Sequence, residues 1–359
     1  MQIKLNTRGT ARPWYRHKRY WVPGAIVILA MFTLYIGGQI TPKIPIFFLK
    51  TLIKLAPSDS DVIMAEGVSR LKDVAYIEGG RSNSTMDIYY PSAATELLPV
   101  VLWVHGGGWV LGDKEDISDY AMQLAERGFV VVSMNYALAP DAPYPTPVFQ
   151  TNQALTYIQN HATAFKGDPQ NVFLAGNSAG AQIASQTAAI VTNQALAQLM
   201  NIQPSIQPEE LRGVLLYCGP YNMSTVGESG FPLIRTFLWS YTGVKAFEEF
   251  QRLDEMSTVL QVTPNYPPAF ITSGNHDPLT GQSVELAQTL KRLEVETETL
   301  FFTASTEKLG HDYQFQLQTD DGKRALEEAV RFLQEHSRRS SQTMVHSGVN
   351  DVQEAMNGR

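Results

Sequence analysis

The sequence predicts an α/β domain: a mostly parallel sheet with helices on both faces and a helical cap insertion, preceded by one transmembrane helix. Three observations predict it. From Val74 onward, short apolar runs alternate with stretches of helical spacing, the pattern of a sheet covered on both sides. Between Tyr221 and Pro264 the alternation gives way to an insertion rich in Phe, Leu and Trp. Near the start, residues 21–40 are apolar and uncharged, the length that spans a bilayer core.

Taken in order, residues 1–20 form a basic N-terminus in which Arg8, Arg12, Arg16, Lys18 and Arg19 lead directly into the apolar span. Such a flank places the N-terminus in the cytoplasm and the following domain outside it, as a single-pass anchored protein. A cleaved signal peptide fits less well, because Gly37-Gly38-Gln39-Ile40 offers no small-x-small site. Residues 41–73 form a membrane-proximal or cap segment. Its apolar stretch 44–57 suits either a membrane surface or the mouth of a site, and both readings stay open.

The α/β domain is expected over 74–336. Strands are predicted at Met86–Tyr90, Val100–Val104, Phe129–Met134, Val172–Ala175, Val214–Tyr217, Ala269–Thr272 and Leu300–Phe302. Helices are predicted from Pro147 to about Ala164, from Ala179 to Met200, from about Gln282 to Leu293, and over Asp321–His336. The insertion at about 221–264 follows a strand, on the side where open sheets bind ligands. It reads as a lid or acyl-pocket wall, the alternative being an extra layer packed for stability. Residues 337–359 are polar and aperiodic, a flexible tail.

Composition narrows the function. Of 28 Lys and Arg against 35 acids, nine bases and no acid fall in the first 58 residues, so the remainder is strongly anionic. That argues against nucleic acid as a partner. A lone Cys218 and no Cys/His cluster or phosphate loop leave no signal for a metal or a nucleotide cofactor, and none is expected.

Three motifs carry chemistry. Gly176-Asn177-Ser178-Ala179-Gly180 sits between a strand and a helix, where flanking glycines allow a tight turn that thrusts a hydroxyl outward. His105-Gly106-Gly107-Gly108-Trp109 also ends a strand, and consecutive glycines free the backbone to present N–H groups to a substrate oxygen. His105 itself reads as a structural residue of that loop. After the serine, chain order calls for an acid and then a histidine; Asp277 and His311 each follow a strand. Other bases are His276, which precedes the acid, and His336 and His346, which fall in or beyond the closing helix.

With Gly112-Asp113-Lys114, Asn135-Tyr136-Ala137-Leu138-Ala139-Pro140, Gly167-Asp168-Pro169, Asp277-Pro278-Leu279 and Gly310-His311, these motifs stand in order from about Val74 to His336. The chain resembles the hormone-sensitive-lipase-like and feruloyl-esterase-like branch of the α/β-hydrolases. The resemblance implies the α/β-hydrolase fold and hydrolysis of a small-molecule carboxylic ester through an acyl-enzyme, without cofactor. It implies a catalytic triad of Ser178, Asp277 and His311, with an oxyanion hole from the Gly107, Gly108 and Ala179 amides. A peptidase or amidase would use the same triad, and an inactive binding protein would show a broken one. The resemblance leaves the natural ester and the oligomeric state open, and the membrane segment with its basic flank departs from many relatives.

Overall fold

The computed structural model describes residues 37–55, 63–79, 82–302 and 306–337. It forms two compact units, Met1–Ser58 and Asp59–Arg359. In the first, residues 37–40 are helical, and Pro42 lies at a break before helix α1 (Lys43–Leu55). Phe47, Leu52, Ile53 and Leu55 of α1 are exposed. The basic segment 1–20, residues 21–36 of the expected membrane span and the tail from 338 lie outside the described residues. Among the described residues, no helix is long and apolar enough to cross a membrane.

The second unit is built on eight strands: β1 (Val68–Ala75), β2 (Thr85–Pro91), β3 (Leu98–Val104), β4 (Val130–Met134), β5 (Gly167–Asn177), β6 (Leu211–Tyr217), β7 (Ala269–Thr272) and β8 (Thr297–Leu300). They lie in the order β1-β2-β4-β3-β5-β6-β7-β8. β1 and β2 pair antiparallel, as do β2 and β4, and the remaining ladders are parallel. The inner stretches of the central strands, Val100–Val104 in β3, Val172–Ala175 in β5 and Val214–Tyr217 in β6, are apolar because helices cover both faces. Val100 to Val104 are wholly buried, each such side chain contributing about 1.5–3 kcal/mol relative to exposure.

The covering helices are α2 (Ser118–Glu126), α3 (Thr146–His161), α4 (Ala179–Thr192), α5 (Gln194–Met200), α9 (Thr280–Arg292) and α10 (residues 320–337). The insertion supplies α6 (Ile234–Thr242), α7 (Leu253–Met256) and α8 (Thr258–Gln261).

Several elements differ from the sequence expectation; β5, expected at Val172–Ala175, runs from Gly167 to Asn177. Strand β1 starts at Val68, so the sheet takes in residues assigned to the preceding segment; its exposed Leu71, Lys72 and Asp73 hid the alternation, as charge on an edge strand does. The helix expected from Ala179 to Met200 is broken at Asn193, whose backbone is extended and whose side chain accepts from the Ala195 and Leu196 amides as a new N-cap. The last strand lies at Thr297–Leu300, with Phe302 already in the left-handed region at φ 48°. Helix α2 had no sequence expectation.

Parallel pairing brings the C-terminal ends of β3, β5, β6, β7 and β8 to one edge. The loops leaving that edge carry the motif residues.

Candidate active site

Ser178 joins β5 to α4 with φ 52° and ψ −123°, a conformation that costs a non-glycine residue about 1–3 kcal/mol. Its surroundings hold it there. The Ser178 amide donates to the Tyr217 carbonyl at 2.8 Å, and its own carbonyl accepts from Ala181 and Gln182 at 3.0 and 3.2 Å. Small residues are obligatory around it: a Cβ on Gly180 would stand 2.0 Å from the Val104 carbonyl oxygen. The N-terminus of α4 therefore abuts the end of β3.

That loop is equally constrained. Gly107, Gly108 and Trp109 all have positive φ, at 108°, 60° and 62°. The amides of Gly107 and Gly108 donate to no hydrogen bond among the described residues. Two further motifs serve as its scaffold. Gly112 packs against the His105 ring, where a Cβ would lie 2.4 Å from Nδ1. Tyr136 stacks on that ring at 4.3 Å and donates its hydroxyl to the His105 carbonyl at 3.1 Å. The Asp113 carboxylate accepts from Asn135 Nδ2 at 2.9 Å, and Asn135 Oδ1 accepts from the Lys114 amide at 2.7 Å. His105 is fully buried, burial lowers its pKa, and its Nδ1 bonds the Gly106 carbonyl at 2.7 Å. It is a neutral structural residue, as expected.

Across the edge, Asp277 is buried after β7 and His311 follows β8. His311 Nδ1 lies 2.9 Å from Asp277 Oδ2. The carboxylate also accepts from Ser273 Oγ at 3.2 Å and from the Leu279 amide at 2.8 Å, so both its oxygens are held. Gly274 lets the two loops meet, its absent Cβ falling 2.3 Å from the Leu309 carbonyl oxygen. Burial opposes charging of His311, but the hydrogen bond to Asp277 and the charges of Asp312 and Asp277 prevail, and its pKa is raised.

Of the other candidate bases, His276 uses its amide to bond Leu309 at 2.9 Å, and His336 packs on Phe332 at 4.3 Å. His346 lies outside the described residues.

The insertion lines this edge. The Phe231 ring meets the His311 ring edge-on at 4.8 Å, and the Phe237 ring lies where a Cβ on Gly108 would come within 2.8 Å. Its later half is fastened to α4: Gln182 Nε2 donates to the Met256 carbonyl at 3.2 Å, Gln186 Nε2 donates to the Glu255 carbonyl at 2.9 Å, and the Ser185 and Thr258 hydroxyls bond at 2.8 Å.

Sequence reasoning did not single out Asp312 or Cys218. Asp312 lies beside His311, with Oδ2 3.8 Å from Nε2, and Cys218 Sγ stands 3.2 Å from Asp312 Oδ1. Neither sits in a pattern that would set it apart from a surface acid or a core thiol.

The BD-FAE family model matches residues 86–290, which span the glycine loop, the Ser178 turn and Asp277. The chain belongs to the BD-FAE family. Isoprenylcysteine alpha-carbonyl methylesterase of Arabidopsis thaliana is 31% identical to this BD-FAE chain over 207 residues, 56% of this chain and 48% of that relative. The chain thus spans about half the length of that relative. Carboxylesterase NlhH of Mycobacterium tuberculosis is 27% identical over 221 residues, 61% of this chain and 69% of the relative. Esterase B of Lactobacillus rhamnosis shares the α/β-hydrolase fold, with a TM-score of 0.71 at 23% identity over 79% of this chain and 91% of that one.

Proposed function

We propose that this BD-FAE protein is a serine carboxylesterase. Ser178 attacks the ester carbonyl while His311, oriented by Asp277, takes its proton. The Gly107, Gly108 and Ala179 amides bind the oxyanion, His311 returns the proton to the leaving alcohol, and water then releases the acid from Ser178. The observation that carries this reading is the 2.9 Å bond between His311 and Asp277 on the strand edge where Ser178 sits in its strained turn. The esterase names of the relatives support ester over amide. The rings of Phe231 and Phe237 beside the site favour short or medium acyl chains or aromatic acids.

The test is hydrolysis of p-nitrophenyl esters from acetate to laurate by the full chain, beside aminoacyl anilides. Ester turnover that Ser178→Ala abolishes is the expected result. Turnover of anilides in preference to every ester would replace the reading with an amidase. The basic N-terminus and the apolar span 21–40 further support a domain held outside the cytoplasmic membrane. Protease added to intact wall-stripped cells then degrades the domain; survival until lysis would overturn the placement.

A further inference from the structure

Three donors converge on one oxygen of Asp312. Asn177 Nδ2, Cys218 Sγ and Gln314 Nε2 each lie 3.2 Å from Oδ1. Oδ2 also accepts from Asn177 Nδ2 at 3.2 Å and faces His311 Nε2 at 3.8 Å. The convergence suits an anion, because a carboxylate only accepts, whereas an amide would turn an N–H₂ toward a donor or the ring. The thiol remains a donor: burial, with the charges of Asp312 and Asp277, pushes the pKa of Cys218 well up.

Asn177 connects this carboxylate to the rest of the site. Its Oδ1 accepts from the Gly106 amide at 3.1 Å and from Trp103 Nε1 at 3.3 Å, and its main chain runs directly into Ser178. One amide side chain thus joins the glycine loop, the nucleophile turn and the histidine loop. Asp277 grips His311 at Nδ1; Asp312 stands at the other nitrogen, the one that must exchange the proton with Ser178.

Resting on the serine-esterase reading, we propose that Asp312 is a positioning residue of the hydrolysis. Its charge steadies the imidazolium formed at each proton transfer, and its bond to Asn177 keeps the histidine loop in register with the nucleophile turn. At 3.8 Å it is too far for a hydrogen bond to Nε2, so it leaves that nitrogen available to Ser178. Among the described residues, the ionisable groups beside the ring are Asp277 from the β7 loop, Asp312 from its own loop and the neutral Cys218 just after β6; Phe231 of the insertion brings no charge.

The test compares wild type, Asp312→Asn and Asp312→Glu in the full chain, reading the pH profile of kcat/KM and the plateau kcat on a p-nitrophenyl ester. A parallel NMR titration of the His311 ring in a Ser178→Ala background does not depend on turnover. Loss of the charge in Asp312→Asn moves the midpoint to lower pH and lowers plateau kcat about 10-fold with KM little changed. Asp312→Glu keeps the wild-type midpoint. A role confined to packing would move Tm and kcat but leave both the kinetic and the NMR midpoints in place, and that result overturns the proposal. Should Asp312→Asn fail to fold, Asp312→Ser, with a small acceptor for Asn177, replaces it under the same criterion. If no ester is hydrolysed yet the ring still titrates lower in the variant, the esterase reading falls while the influence of Asp312 on His311 stands.

Discussion

The two halves of the site are held by different means. Around Ser178 and the glycine loop the constraint is backbone: positive φ at Gly107, Gly108, Trp109 and Ser178, and glycines so close to carbonyls that no side chain fits. Around Asp277 and His311 the constraint lies largely in side chains, through Ser273, Asn177, Gln314 and the two carboxylates flanking one ring. A backbone-held half fails as a structure when altered; a side-chain-held half fails as chemistry while the fold persists.

The largest expected effect tests the chemistry common to both halves. Ser178→Ala lowers kcat by about 10⁴-fold or more with an unchanged circular-dichroism spectrum. On the side-chain half, Asp277→Asn costs about 10³–10⁴-fold in kcat, because the amide no longer selects the ring tautomer that accepts from Ser178. Its thermal midpoint should fall by far less than that of Gly180→Ala, which drives a Cβ onto the Val104 carbonyl and costs about 3–5 kcal/mol. If Gly180→Ala melts with wild type, the contrast between the halves is wrong.

Smaller again is Phe231→Ala, which removes the ring against His311 and raises KM for hydrophobic acyl chains by less than about 10-fold. The gentlest probe is pH. Because His311 has a raised pKa, kcat/KM should rise with pH through a midpoint above the ordinary histidine value of 6.5. Stability runs the other way. The contribution from charged His311 is fully present below the unfolded pKa and is lost as pH climbs through the raised folded one. Thermal melts and rate profiles recorded over the same pH range should therefore diverge around that midpoint.

The same contrast explains what could be read from the sequence. Gly107, Gly176 and Gly180 stand out because a backbone collision admits one residue type, and that requirement shows locally in the chain. Asp277 and His311 were legible through chain order and their places after apolar runs. Asp312, Cys218 and the bridging role of Asn177 were not, since they matter only through partners distant in sequence. The break at Asn193 was hidden because Ala/Gln spacing continues across it, and β1 because its charged residues lie on a sheet edge.

Helix α4, which begins directly after the nucleophile, has every residue from Ala179 to Val191 buried. It has no solvent face along which to fray or slide. Its amides should exchange with deuterium only when the whole domain opens, placing the nucleophile turn in the most slowly exchanging unit of the fold. On heating, the nucleophile turn should therefore keep its shape until global structure is lost, so that any earlier loss of turnover would begin in the histidine loop.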